Sequence, residues 1–194
     1  MDRKGNGRFR AVVIGVSTGG VEALKILLGG LQASYPLPIL IVAHIASEAS
    51  NGLALLLDDF CSVRVKEADE LEEIVPGTAY IAPPNYHMQL ERDGKITLSV
   101  DPPVNFARPS ADVLFETAAD AMGAGLIAVV LTGAGSDGSI GLKAVAAKGG
   151  TTVVQCPMNA VADSMPKSAA AVIKPDYVMP LERIPELLIQ LAWE

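Results

Sequence analysis

Three uninterrupted apolar runs, Ala11 to Val16, Ile39 to Ala43 and Leu126 to Leu131, constrain this chain more than any other feature. A half-buried strand alternates apolar and polar residues, so continuous runs of this length closed by turn residues mark strands covered on both faces. Helical spacing follows them: Val21, Leu24, Leu27 and Leu28 after the first run, Leu53, Leu56 and Leu57 after the second, and Ser139 to Lys148 after the third. Strand and helix alternating in this way predict an α/β fold, a doubly wound and mostly parallel sheet with helices on both faces. Its crossovers are expected to be right-handed.

The remaining segments fill in that frame. The first two helices are predicted over Gly20 to Gly29 and Gly52 to Phe60. Between residues 63 and 100 the runs shorten to Val63–Lys66, Ala79–Ala82, His87–Glu91 and Ile96–Val100. Arg92-Asp93-Gly94-Lys95 carries a hairpin signal, because Asp-Gly readily supplies positive φ. These runs predict an antiparallel β excursion in the middle of the chain. Pro102, Pro103 and Pro109 bound a rigid loop, and Ser110 is a candidate N-cap for a helix from Ala111 to Met122. A strand over Thr151–Val154, a short helix from Ser164, a strand at Val178 and Met179, and a last helix with Leu181, Ile184, Leu187, Leu188 and Leu191 on its buried face complete the chain. Neither a repeat nor a linker interrupts it. We therefore expect a polar N-terminal tail over residues 1–10 and one domain over residues 11–194.

Charge and composition exclude several classes. A formal charge of −7 and no basic stripe argue against nucleic-acid binding. Arg3, Lys4, Arg8 and Arg10 precede an apolar run of only six residues, too short for a signal peptide, and no run approaches the roughly 18 to 20 apolar residues of a membrane span. Cys61 and Cys156 stand far apart, outside metal-type spacing. The expectation is a cytoplasmic protein with no disulfide framework, no metal, no cofactor and no membrane insertion.

In doubly wound sheets, ligands sit at the carboxyl ends of the strands. Ser17, His44 and Asp137 all fall at such ends, which is the main reason to expect catalysis. Ser17 lies in I-G-V-S-T-G-G (14–20), at a strand-to-helix turn where glycines leave its hydroxyl exposed beside the N–H groups of the next helix. That suits a nucleophile facing an oxyanion, and equally a phosphate cradle or a helix cap. Gly15 to Gly19 matches the G-x-S-x-G nucleophile elbow, but the order Ser17, His44, Asp137 and the serine's place on the first strand differ from α/β-hydrolases. Of the two histidines, His44 ends a strand one crossover from Ser17, whereas His87 lies in the excursion. His44 is the favoured base. Gly133 to Gly138 also fits G-x-G-x-x-G, yet Gln155 and Cys156 stand where a ribose-binding acid is wanted. Asp137 is read as an imidazole-orienting carboxylate, with a helix N-cap and a nucleotide-binding module as the competing readings.

With these residues in view, the chain closely resembles the catalytic domain of the CheB chemotaxis protein-glutamate methylesterases. The resemblance runs from Val12 to the last helix. It rests on I-G-V-S-T-G-G at 14–20, His44, P-G-T-A-Y-I-A-P-P at 76–84, H-M at 87–88, R-P-S-A-D-V-L-F at 108–115 and L-T-G-A-G-S-D-G at 131–138. It implies a serine hydrolase that demethylates glutamate methyl esters on the cytoplasmic helices of methylated chemoreceptors and deamidates certain receptor glutamines. Ser17 would be the nucleophile, His44 the general base and Asp137 the orienting acid. An oxyanion hole from the backbone N–H groups of Thr18 and Ala134 would complete the site. Positions 43 and 134, often glutamine and methionine in the family, are both alanine here. The family's N-terminal receiver domain has no counterpart in the ten residues before the first strand, so the chain is expected to be either a free-standing esterase or an excised domain, with a regulatory partner protein in place of the receiver as one expectation. Hydrolysis of another cellular ester or amide is the rival within the same chemistry.

Overall fold

Along β1 (Ala11–Val16), Val12, Ile14 and Val16 alternate with Ala11 and Val13, and all five are buried. Both faces of the strand are therefore covered. This computed structural model describes residues 8–44 and 47–194, with the side chains of residues 47–51 outside the described set. The expected tail over residues 1–10 lies mostly outside the described residues.

The other strands are β2 (Ile39–Ala43), β3 (Arg64–Glu67), β4 (Thr78–Ile81), β5 (His87–Leu90), β6 (Ile96–Ser99), β7 (Leu126–Val130), β8 (Thr151–Gln155) and β9 (Tyr177–Met179). The helices are α1 (Gly20–Gly29), α2 (Ser47–Phe60), α3 (Ala111–Met122), α4 (Ser139–Ala147), α5 (Ser164–Val172) and α6 (Ile184–Ala192). Seven strands form one parallel sheet in the order β3-β4-β2-β1-β7-β8-β9, and β5 pairs with β6 in a separate antiparallel ribbon. The antiparallel excursion is thus confined to β5 and β6. Contrary to the expectation for residues 63–100, β3 and β4 run parallel to each other and extend the main sheet beside β2. Thr78 to Ile81 are buried throughout, as a strand inside a covered sheet requires. Helix α2 begins at Ser47, earlier than the predicted Gly52.

Alternation along the strands feeds two cores. Val12, Ile14, Ile39 and Ile41 face Leu24, Leu27 and Leu28 of α1, Leu53 and Leu57 of α2, and Leu187 and Leu188 of α6. Val13, Leu40, Val42 and Val130 face Leu114 and Phe115 of α3, Leu142 and Val145 of α4, Met165 of α5 and the β5–β6 ribbon through Met88 and Ile96. Burying a side chain of this size contributes about 1.5–3 kcal/mol, so the two cores fix the sheet firmly between its helices. The chain leaves β1 for β2 on one side and reaches β7 on the other. That reversal opens a crevice at the carboxyl end of β1, where ligands bind in open α/β sheets.

Candidate active site

Hydrogen bonding continues past the ends of the three central strands and aligns the residues that follow them. The Ser17 N–H donates to Thr132 O at 3.0 Å, and the His44 N–H donates to Val16 O at 3.0 Å. Ser17 therefore leaves the sheet between His44 on one side and the Thr132 turn on the other. Two glycines make room for it. Gly19 holds φ at 80° as the chain turns into α1, a conformation that strains any L side chain. A Cβ on Gly133 would stand 2.8 Å from the Ser17 Cβ and would press into Met165, so only glycine lets the β7 turn pass this close to the serine.

Thr132 ties the turns together. Its hydroxyl donates to Thr18 O at 2.9 Å and accepts from the Ala162 N–H at 2.9 Å. Its own N–H donates to the side-chain oxygen of buried Gln155 at 2.8 Å. Gln155 is thus committed to the framework at the end of β8, where a dinucleotide site would need a ribose-binding acid. Among the hydrogen bonds of the described residues, none uses the N–H of Thr18 or of Ala134.

Asp137, 5 % exposed, is held from several directions. Its carboxylate accepts from the Ser110 hydroxyl at 2.7 Å, the Ala111 N–H at 2.6 Å and the Asp112 N–H at 3.1 Å. These are the first donors of α3. Ser110 has the extended backbone of an N-cap, but its hydroxyl makes no cap bond; Asp137, 26 residues from Ala111, satisfies the helix end in its place. The cap reading of Asp137 is corrected accordingly, since the carboxylate serves α3 and not α4, the helix it precedes, where Gly138 is the capping residue. Burial pushes the Asp137 carboxyl up, but the close approach of His44 and the hydrogen bonds from Ser110, Ala111 and Asp112 together outweigh it and hold the group below the usual carboxylate range. An ionised acid results.

His44 Nε2 lies 2.9 Å from Asp137 Oδ2. The ring N–H is not aimed along that line, and Nε2 makes no in-line hydrogen bond to a described residue. The distance is right and the angle is not, a state common in unliganded sites whose bonds tighten with substrate. Since Nε2 faces the carboxylate, Nδ1 is the nitrogen left for a reacting group. His87 is differently engaged: it is buried, its Nδ1 accepts from the Ser110 N–H at 3.2 Å, and its Nε2 lies 3.2 Å from Pro102 O. Both of its nitrogens are used in anchoring the start of α3 and the preceding loop.

His44 stands between two recesses. A cleft of about 720 Å³ runs past His44, Ala134, Asp137 and the 105–109 segment, and a shallower one of about 320 Å³ is lined by Ser17, Thr18, Gly19 and His44. Ser17 is half-buried and Thr18 exposed. The arrangement offers a hydroxyl and the unengaged Thr18 N–H in one recess, the unengaged Ala134 N–H in the other, and an imidazole that lines both with an ionised carboxylate beside it. Among the described residues no group of three or more His, Cys, Asp or Glu side chains is placed to hold a metal ion. No helix among them is long and apolar enough to cross a membrane. Cys61 and Cys156 are both free thiols.

Ser110, Asp112 and Gln155 were not picked out by sequence as parts of the site. Asp112 is buried and accepts from the Gly141 N–H at 2.7 Å and the Asn105 Nδ2 at 3.0 Å, binding α4 and the preceding loop to the same helix start. The signal available for two of them was the string Arg108-Pro109-Ser110-Ala111-Asp112 at a helix entrance.

Comparison with known proteins turns this geometry into a relationship. The CheB methylesterase family model matches residues 12–188. A Leptospira interrogans protein with the provisional name protein-glutamate methylesterase/protein-glutamine glutaminase is 46% identical over 183 residues, spanning 94% of this chain and 95% of that protein. A protein-glutamate methylesterase/protein-glutamine glutaminase of Rhodopseudomonas palustris is 44% identical over 188 residues, 95% of this chain but 51% of that longer protein. The crystal structure of the Thermotoga maritima CheB methylesterase catalytic domain superposes with a TM-score of 0.90 at 38% identity, covering 94% of this chain and 98% of that one. A match that begins one residue into β1 and ends within α6 takes in all three strand ends described above, and on that ground the chain belongs to the CheB methylesterase family.

Proposed function

We propose that this protein is a serine hydrolase that demethylates γ-glutamyl methyl esters on the cytoplasmic helices of methylated chemoreceptors, with Ser17 as nucleophile, His44 as general base and Asp137 as orienting acid. Residues 11–194 form the catalytic unit, and the reaction belongs to the cytoplasm. The observation that carries the reading is the anchoring of an ionised Asp137 on the start of α3 with His44 Nε2 2.9 Å away, at the opening that Ser17 shares with His44. The names of the relatives supply the substrate class.

The chemistry follows from the ring orientation. With substrate bound, Nε2–H turns onto the Asp137 carboxylate it already faces, which leaves the Nδ1 lone pair to take the Ser17 proton as Oγ attacks the ester carbonyl. The N–H groups of Thr18 and Ala134, with no protein acceptor among the described residues, stabilise the oxyanion that forms. Nδ1–H then protonates departing methanol. A water that gives its proton to Nδ1 attacks the acyl-serine carbonyl, and Nδ1–H passes that proton to the departing Ser17 Oγ as the glutamate carboxylate is released. The same sequence on a receptor glutamine expels ammonia in place of methanol, which is the second activity in the relatives' names. Because the oxyanion donors are main-chain groups, the alanine at position 134 does not remove them.

The test is methanol release from methylated receptor membranes. The wild-type chain is expected to release methanol and Ser17→Ala is not; release by a folded Ser17→Ala protein would reject the mechanism. The rival substrate reading predicts turnover of small esters with no release from receptor membranes.

A further inference from the structure

Among the described residues, the three most exposed large apolar side chains are Phe106 at 104 %, Met158 at 94 % and Val161 at 77 %. Scattered exposed apolar residues are ordinary and need no explanation. These three are not scattered. Phe106 lines the cleft that holds His44 and Asp137. Met158 and Val161 lie in the segment that follows β8 at the carboxyl edge of the sheet, and a Cβ on Gly19 would stand 2.8 Å from the Val161 Cβ. Phe106 therefore stands on the His44 side of the opening and Val161 beside the Ser17 turn, with Met158 three residues earlier in the same segment.

Phe106 is also presented at a conformational cost. Val104 and Ala107 exchange both backbone hydrogen bonds, at 3.0 and 2.9 Å, so Asn105 and Phe106 form a two-residue turn with φ of 50° and 64°. Such turns favour asparagine and glycine, and a bulky residue at the second position is a backbone outlier. Strain of this kind persists where surrounding structure enforces it and clusters at functional positions. The enforcement is visible: Asn105 Nδ2 donates to Asp112, and Arg108 Nη1 donates to Val100 O at 2.7 Å and Asp101 O at 3.0 Å. The turn is braced on both sides, and its aromatic tip touches water. Likewise the segment carrying Val161 is bonded through Ala162 to Thr132 and Gly133.

We propose that Phe106, Met158 and Val161 form an apolar rim that docks the polypeptide around the glutamyl ester, and so set the preference of this site for protein substrates over small esters. The inference rests on the proposed methylesterase function and names the contacts that select its substrate. The occupant is the helical receptor segment that bears the ester, whose neighbouring apolar side chains meet the rim while the ester reaches Ser17. A small ester fills the recess beside Ser17 and extends to neither wall. The chain's formal charge of −7 gives no long-range attraction for a glutamate-bearing helix. Short-range apolar contact by braced, pre-positioned side chains can supply attraction, at little ordering cost on binding.

The test compares kcat/KM on methylated receptor membranes with kcat/KM on p-nitrophenyl acetate for wild type and for Phe106→Ser/Met158→Ser/Val161→Ser. The ratio of the two is expected to fall by at least about tenfold, mainly through a higher KM for the receptor, a size typical of a lost interface anchor. An unchanged ratio, whether both activities persist or both decline together, overturns the rim. A second variant, Phe106→Gly, is expected to raise the melting temperature by relieving the turn while lowering the same ratio. A higher melting temperature with receptor turnover retained would also overturn it. Should wild type cleave p-nitrophenyl acetate yet release no methanol from receptor membranes, the function itself fails, and the rim's proposed occupant falls with it.

Discussion

Asp137 and Ser17 follow neighbouring strands of one sheet, yet their surroundings are built on opposite plans. The acid is 5 % exposed and its two oxygens serve Ser110, Ala111 and Asp112 besides facing His44. The serine is half-buried, fixed through its main chain to Thr132, with no side-chain hydrogen bond among the described residues. One region is over-determined by the fold, and the other is left unengaged. Under the proposed mechanism the difference separates two kinds of dependence: removing the acid should disturb helix α3 as well as chemistry, whereas removing the hydroxyl should disturb chemistry alone.

Substitutions sharpen that contrast. The largest effect is expected for Ser17→Ala, a loss of roughly 10⁴–10⁶-fold in kcat with stability within about 0.5 kcal/mol of wild type. Single-turnover methanol release and thermal melting measure the two; a marked drop in melting temperature would show that the serine is structural after all. Asp137→Asn is expected to cost roughly 10³–10⁴-fold in kcat, and in addition about 1–3 kcal/mol of stability. An amide offers one acceptor oxygen where several donors converge, so its NH₂ group must face a donor. Wild-type stability would break the comparison, because Asp137 would then not be holding α3. Smaller again is Ser110→Ala, which removes one donor from the acid and should cost about 1 kcal/mol with rate losses near tenfold. Rescue by Ser110→Thr, read as recovery of kcat, distinguishes the lost hydroxyl from a packing defect.

The smallest effect is a pH dependence at Asp112. Burial pushes its carboxyl up to about 6, the Gly141 N–H opposes that, and the nearby Asp137 charge adds to it. A folded value above the unfolded one of about 3.9 means that the folded state binds the proton more tightly. Asp112 therefore favours folding below about pH 4, and that contribution is lost as pH rises through about 6. Asp137 has the opposite sign: its value is lowered, so its contribution is present above the unfolded value and is lost as pH falls through the folded one. Asp112→Asn should flatten the fall in stability between about pH 4 and 6 in denaturant titrations at stepped pH. An unaltered slope would assign that fall to other groups.

What was legible in sequence follows the range of the interactions. The runs now seen as β1, β2 and β7 could be read almost to the residue because a covered strand must be apolar throughout. The three polar residues after them follow from the same reading. Pairing direction was not legible for Arg64–Glu67 and Thr78–Ile81, because a short strand does not encode which neighbour it will meet. Ser110 carried a capping residue's identity and backbone, yet its capping task is taken by an aspartate brought in by the fold. Only the proline boundaries of the loop before α3 stood out, since the exposure of Phe106 depends on a turn closed by main-chain bonds between Val104 and Ala107.

The bonds from Asp137 to residues 110, 111 and 112 span 25 to 27 positions of sequence and close across α3 and β7. A group anchored through such non-local contacts reaches its working position only after both elements have docked. The main-chain hydrogens of Ala111 and Asp112 should therefore exchange with deuterated solvent only in openings that also detach the carboxylate. Their protection and the enzyme's resistance to denaturant should decline together, making catalytic competence a direct readout of whether the sheet and its third helix are assembled.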